Sequence, residues 1–311
     1  MTTIQSLPPD IHVFERGWLS ANNILLLADD GAALVDSGYA THAEQTLALV
    51  DNALAGQTLK LLVNTHLHSD HCGGNAALQA RYPALRTLIP PGEAPAVKVW
   101  DEDRLSYKLT GQTCPRFGFD ALLQPGSEFR HGQRCWQVHA APGHDPHSVL
   151  LFEPALRLLI SADALWQNGF GVVFPEIEGV RAFEAVGATL DLIESLQPQI
   201  VIPGHGPVFT DVGSALSVAR RRLQQFVDDP TRHARYAAKA LLKFKLLEWQ
   251  QTPLVDLQRW STQTPIFSLL HRAIQTPLEF SIWVETLLED LKQSGAASMQ
   301  EEPSGTIVIN R

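Results

Sequence analysis

Cysteine is scarce in this chain. Three in 311 residues, Cys72, Cys114 and Cys135, are odd in number, widely spaced and without a CxxC pair. That excludes a disulfide framework and makes a reducing, cytoplasmic compartment the expectation. Long apolar runs are missing too. The longest early one, Ile24 to Ala28, is far too short to span a bilayer or serve as the core of a secretion signal, and Met1 to Asp10 carries no basic residue, so neither anchor nor leader is expected. Positive charge is in deficit: 24 Lys and Arg against 33 Asp and Glu give a formal net charge of −9, which disfavours a general affinity for polyanions. Repeats and low-complexity tracts are absent. With 45% apolar and 18% charged residues, disorder, collagen and coiled coil are excluded.

What remains is a globular chain slightly longer than one core comfortably fills, since single cores stop growing at roughly 250 to 300 residues. Charge marks a boundary. Residues 1–213 carry a net −11 and residues 214–311 a net +2, so two domains are expected with those limits. In the first, Ile24 to Asp36 reads as a β-hairpin around Asp29-Asp30-Gly31. A helix follows over Thr41 to Leu54, then a strand over Leu59 to Asn64 and a short helix over Asn75 to Arg81. Further strands are expected at Cys135–Ala140, Val149–Phe152, Arg157–Ser161 and Gln199–Ile202, with a helix from Arg181 to Leu196, a mixture of the α+β kind. After residue 213 the pattern turns helical: Ser214–Val227, Arg232–Gln250, Leu254–Trp260, a turn near Pro265–Arg272, and Leu278–Gln293. Pro253, Pro265 and Pro277 suit first-turn positions, and a strand at Thr306–Ile309 beyond the Glu302-Pro303-Ser304-Gly305 turn completes the outline of a winged helix.

The strongest signal is His66-Leu67-His68-Ser69-Asp70-His71, an HxHxDH cluster between an apolar strand and Gly73-Gly74. Chance supplies that pattern in only about one chain in a thousand. Three imidazoles and a carboxylate on one tight loop suit a divalent cation. One ion cannot use them all. His66 and His68 can converge on one, Asp70 and His71 on a second, and each ion still needs donors from later strand ends. Pro142-Gly143-His144, Ser161-Ala162-Asp163 and Pro203-Gly204-His205-Gly206 supply them.

At this point the chain resembles the metallo-β-lactamase-fold hydrolases over roughly residues 10–210. The resemblance implies an αββα four-layer sandwich and two divalent metal ions, one on His66, His68 and His144, the other on Asp70, His71 and His205, with Asp163 bridging both. Zinc is the expected metal, iron and manganese being compatible with the same donors. Asp36, in Leu34-Val35-Asp36-Ser37-Gly38, matches an early family Asp that supports the ligand loop. Two departures stand out. Ala162 replaces a common Gly, expected to be harmless, and Asp145-Pro146-His147 after His144 alters the pocket lip. True β-lactamases of this fold usually lack the bridging Asp, so Asp163 favours the glyoxalase II-like and related thioesterase, lactonase and phosphodiesterase branches. There a hydroxide between two cations attacks an ester, thioester or lactone, with Asp70 and Asp163 as catalytic carboxylates. A nuclease of the same fold, a redox enzyme using iron in the same cradle and a non-catalytic metal-retaining binding protein are the alternatives.

Other residues carry blander expectations. Cys72 reads as a small apolar group under the loop rather than a ligand. His147 is expected to be structural or to touch substrate, and Trp166, Asn168 and Phe170 to line the pocket or to pack. Arg220-Arg221-Arg222 reads as a solvated helix face, and nucleic acid is not expected as a partner. The substrate is expected to be a small molecule, with no membrane partner. The tail should close the metal cleft or mediate self-association as a homodimer.

Overall fold

The computed structural model describes residues 7–303 and 305–311. Residues 1–6, part of the expected leaderless start, and Ser304 of the expected turn lie outside the described residues. Two sheets form the first part of the chain. One runs in the order β1 (Ile11–Phe14), β2 (Asn23–Leu26), β3 (Ala32–Val35), β4 (Leu59–Val63), β5 (Arg86–Ile89) and β6 (Ala121–Leu122). The other holds β7 (Glu128–His131), β8 (Arg134–Ala140), β9 (Val149–Glu153), β10 (Leu158–Ala162) and β11 (Ile200–Pro203), with β11 and β7 at its edges. The expected hairpins β2–β3 and β9–β10 both form.

Alternation along the strands explains the layering. Ile24, Val35 and Val63 from the first sheet meet Val138, Val149, Leu151 and Ile160 from the second in one buried cluster. Their neighbours face outward. Leu25, Leu34 and Leu62 pack on Val50 and Leu54 of α1 (Ala43–Leu54). Such strands read as unbroken apolar runs because both faces are covered. After α1 come the short helices α2 (Ser69–Cys72), α3 (Asn75–Arg81), α4 (Ala94–Val99), α5 (Tyr107–Thr110) and α6 (Phe174–Ile177), then α7 (Phe183–Leu196) and α8 (Val212–Asp228). Leu150 and Leu159 pack on Val186 and Leu190 of α7 and on Leu216 of α8. Helix, sheet, sheet, helix is the expected four-layer sandwich. Strands β1, β5, β6 and β7 had no expectation attached; β6 is two residues long, and β7 and β5, which opens on the exposed Arg86, hold little apolar periodicity.

Beyond α8 comes Asp229, whose side chain accepts from Thr231 N, and Pro230 at the first turn of α9 (Pro230–Trp249). Then come β12 (Gln251–Pro253), α10 (Leu254–Gln263), α11 (Pro265–Ile274), α12 (Phe280–Gln293) and the hairpin β13 (Ala297–Glu302) and β14 (Gly305–Asn310), with β14 central in a three-stranded sheet. This is the winged-helix outline. Pro265 opens α11 as expected, while Pro253 precedes α10 as its cap and Pro277 lies in the loop before α12. The expected turn at Pro265–Arg272 is a full helix. The tail's core is not separate, because Val172 and Ile177 join Leu241, Leu242 and Trp283 in one cluster.

Candidate metal centre

Strands β8, β10 and β11 point the same way, and their carboxyl ends meet that of β4, where open αβ sheets gather their ligands. The loop after β4 holds His66 and His68, and the one-turn helix α2 holds Asp70 and His71. His144, Asp163 and His205 follow β8, β10 and β11. All seven converge, in the expected division: His66, His68 and His144 form one donor group, and Asp70, His71, Asp163 and His205 the other, each within 4.8 Å internally.

Asp163 faces both groups. Its Oδ2 lies 3.3 Å from His144 Nε2 and its Oδ1 3.5 Å from His71 Nε2. His68 Nδ1 is 3.1 Å from His66 Nε2 and 2.8 Å from His144 Nε2, spacings at which imidazole lone pairs oppose one another unless a cation sits among them. The outer nitrogens settle which lone pairs face inward. Asp36 accepts from His71 Nδ1 at 2.8 Å, and the Val172 carbonyl from His144 Nδ1, so both rings turn their Nε2 toward the centre. His71 Nε2 is buried without a hydrogen-bond partner. A buried ring nitrogen without a hydrogen bond, set among carboxylates that raise the ring's affinity for positive charge, fits a divalent ion that would take the place of a proton.

Electrostatics agree with that division. Burial and the neighbouring rings hold His66 well below the usual histidine value, and burial brings His68 down to about 4, so both are neutral donors at ordinary pH. Burial alone would also lower His71, but Asp163, Asp36 and Asp70 raise it well above that value. Burial pushes the Asp163 carboxyl up, yet His205, His71 and His144 hold it well below the carboxylate range.

The supports explain local sequence. Asp36 takes a left-handed φ of 57° after β3 and also accepts from Thr65 N at 2.9 Å and Thr65 Oγ1 at 2.7 Å, tying the ligand loop to its own turn. A Cβ on Gly204 would collide with Asp163 Oδ1, which accounts for Pro-Gly-His at that strand end. Ala162 is less neutral than expected: its φ of 46° is left-handed, a conformation costing an alanine roughly 1–2 kcal/mol. Cys72 packs as expected, with Sγ donating to the Leu67 and His68 carbonyls and lying 3.8 Å from Cys114 Sγ.

Beside the donors lies a cavity of about 170 Å³ lined by Trp18, Trp166, Phe174, Leu241, Phe244 and Leu247 among others. Trp166 Nε1 donates to Asp163 Oδ1 at 3.1 Å, and Trp18 stacks on His205 with ring centroids 5.3 Å apart. Phe170 is core and Asn168 is exposed. His147 lines a second cleft with Glu93 and Asp145. Sequence reasoning missed Trp18 and the α9 residues of the wall, which carry no motif. His233, which without metal spacing reads as structural, is buried on α9, where its Nε2 accepts from Val173 N at 3.1 Å. The peptide group joining Val172 to Val173 is thus hydrogen-bonded to His144 through its carbonyl and to His233 through its N–H.

The metallo-beta-lactamase superfamily model matches residues 16–205. The hydroxyacylglutathione hydrolase of Brucella anthropi is 29% identical over 208 residues, 66% of this chain and 66% of that enzyme, so the chain spans about two thirds of its relative's length. A protein solved in a di-iron-bound form is 27% identical, with a TM-score of 0.54 over 67% of this chain and 98% of its own. A metallo-beta-lactamase family protein from Thermus thermophilus, 18% identical, superposes with a TM-score of 0.55 over 98% of this chain and 100% of its own; it shares the fold, tail included. No helix among the described residues is long and apolar enough to cross a membrane. Matched by the family's own model over more than half of its length, the chain belongs to the metallo-beta-lactamase superfamily and is a hydrolase of its glyoxalase II-like branch.

Proposed function

We propose that the chain is a dinuclear metal-dependent hydrolase that opens an ester, thioester or lactone of a small organic acid. The observation that carries this reading is Asp163, with one carboxylate oxygen toward each donor group. His66, His68 and His144 would hold one ion, Asp70, His71 and His205 the other, and Asp163 both. Bound there, divalent ions lower the pKa of water and polarise a substrate oxygen, so no protein nucleophile is required. The chain's own residues do the rest. Asp36 and the Val172 carbonyl orient two imidazoles, Trp166 steadies Asp163, and Asp70, open to the pocket, takes up a proton.

Zinc is the proposed metal, and the di-iron neighbour supports iron as the other candidate. Residues 1–213 are proposed as the catalytic domain and 214–311 as a second domain whose α9 closes the cleft, with a cytoplasmic setting suited to three free thiols. The nuclease alternative is weakened by the arginine triplet, since Arg220 pairs with Asp191 and Glu194 and Arg222 stacks over Tyr236. Elemental analysis with a substrate panel tests the reading. Two transition-metal ions per chain with turnover of a thioester or lactone are expected. One ion or none, or activity confined to bis-p-nitrophenyl phosphate, refutes it.

A further inference from the structure

The cleft has two flanks of opposite character. On one side of the donors, the 170 Å³ cavity is walled by the rings of Trp18, Trp166, Phe174 and Phe244 and the side chains of Leu241 and Leu247. Its one cation besides histidine is Lys243, and that ammonium is consumed by the carbonyls of Ala296 at 2.7 Å and Arg311 at 2.7 Å and by Asn310 Oδ1 at 2.6 Å. No free ammonium or guanidinium there answers a carboxylate, and the neutral polar side chains of the lining are Ser106, Thr110, Gln112 and Tyr236. A cavity of about 150 Å³ holds one benzene molecule, so this one takes a ring or a short alkyl chain.

On the other side, a cleft that shares His68, Ser106 and Phe174 with the first is lined by Glu93, Asp103, Asp145 and Glu178, with Arg104 as its only Lys or Arg. Glu93 has one carboxyl oxygen sealed from solvent and without a hydrogen-bond partner. Burial and the neighbouring Asp145 raise the Glu93 carboxyl well above the usual range, so an anionic group entering this flank meets the carboxyl groups of Asp103, Asp145 and Glu178 and a single guanidinium.

A thioester divides along the same line, an acyl group on one side of the reacting carbonyl and a polar carrier on the other. Resting on the hydrolase reading above, we infer that this enzyme takes thioesters or esters with an apolar acyl group, seated against α9, and a carrier without net negative charge. The hydroxyacylglutathiones of its relatives are therefore poor substrates. Glutathione carries two carboxylates and one ammonium, and a hydroxyacyl group gains less than an alkyl or aryl group from a wall made chiefly of rings and leucine side chains.

The test uses the full-length protein loaded with two ions and N-acetylcysteamine thioesters of acetate, butanoate, hexanoate and phenylacetate beside S-lactoylglutathione. kcat/KM should rise about three- to fourfold per methylene until the cavity is full. Hexanoyl and phenylacetyl thioesters should exceed S-lactoylglutathione at least tenfold. Leu247→Lys, at a partly exposed wall position, should cut hexanoyl turnover at least tenfold and acetyl turnover less than threefold. A flat acyl profile, or preference for S-lactoylglutathione, overturns the inference and leaves the hydrolase reading standing. No turnover of any thioester strikes the hydrolase reading instead. Quenching of Trp18 and Trp166 fluorescence by the free acids then decides the pocket alone: hexanoate binding at least tenfold tighter than acetate upholds it, and equal affinities overturn it.

Discussion

Asp163 is the residue whose loss reaches furthest, because its two oxygens serve different donor groups and no other carboxylate faces both among the described residues. Asp163→Ala is expected to drop metal content from two ions per chain to fewer than one after dialysis, and activity by at least a hundredfold. Cys72→Ala, altering a thiol that faces away from the donors, should retain both ions. Elemental analysis of the two variants distinguishes them; metal loss in the Cys72 variant would make that thiol a ligand. The seven candidate donors were legible because they follow buried strands and two of them, His144 and His205, sit beside glycine, so the motif also reports geometry. The supports were legible only in part. Asp36 stands in a recognisable turn, but His233 is 89 positions from His144 in sequence and looks like any helical histidine.

At the scale of elements, α9 is a structural helix and a pocket wall at once. Its apolar residues at 242 and 246 are core, those at 244 and 247 face the cavity and Leu241 does both, and helical periodicity cannot separate an inner face from a pocket face when both are apolar. For the same reason the sequence predicts the helix but not its use. Its docking is acid-sensitive. Burial brings His233 down to about 4, and its Nε2 must be unprotonated to accept from Val173 N. In the unfolded chain the ring titrates near the ordinary histidine value of 6.5, so the unfolded state binds more protons between those limits. The stability held by the neutral ring is complete above pH 6.5 and is lost as pH falls toward 4, by about 2 kcal/mol at pH 5. Chemical denaturation at pH 8 and pH 5 checks this. Wild type should lose about 2 kcal/mol more than His233→Gln, which can still accept the bond but does not titrate. Equal losses would refute it.

The whole molecule depends on its tail more than a domain boundary at residue 213 suggests. Removal of residues 214–311 would strip one wall from the cavity and uncover Val172 and Ile177, and exposed apolar patches of that kind promote association. The truncated chain is expected to aggregate or to lose at least a hundredfold in kcat/KM. A monodisperse, fully active fragment by light scattering and assay would contradict this.

The peptide group between Val172 and Val173 carries one more consequence. It is a single rigid plane gripped from opposite edges, by His144 of the donor set and by His233 of the tail. Two equilibria that share such a group cannot be independent, and their coupling runs equally in both directions. Whatever the seated tail contributes to holding His144 ready for an ion, the bound ion returns to the seating of the tail. Chelation should therefore speed amide hydrogen exchange in the first turns of α9, a helix that contributes no donor to the centre. The chain with α9 undocked should bind metal more weakly by the same factor that metal removal raises the opening constant of the helix, and His233→Ala, which cuts the shared bond, should weaken metal binding in the same direction.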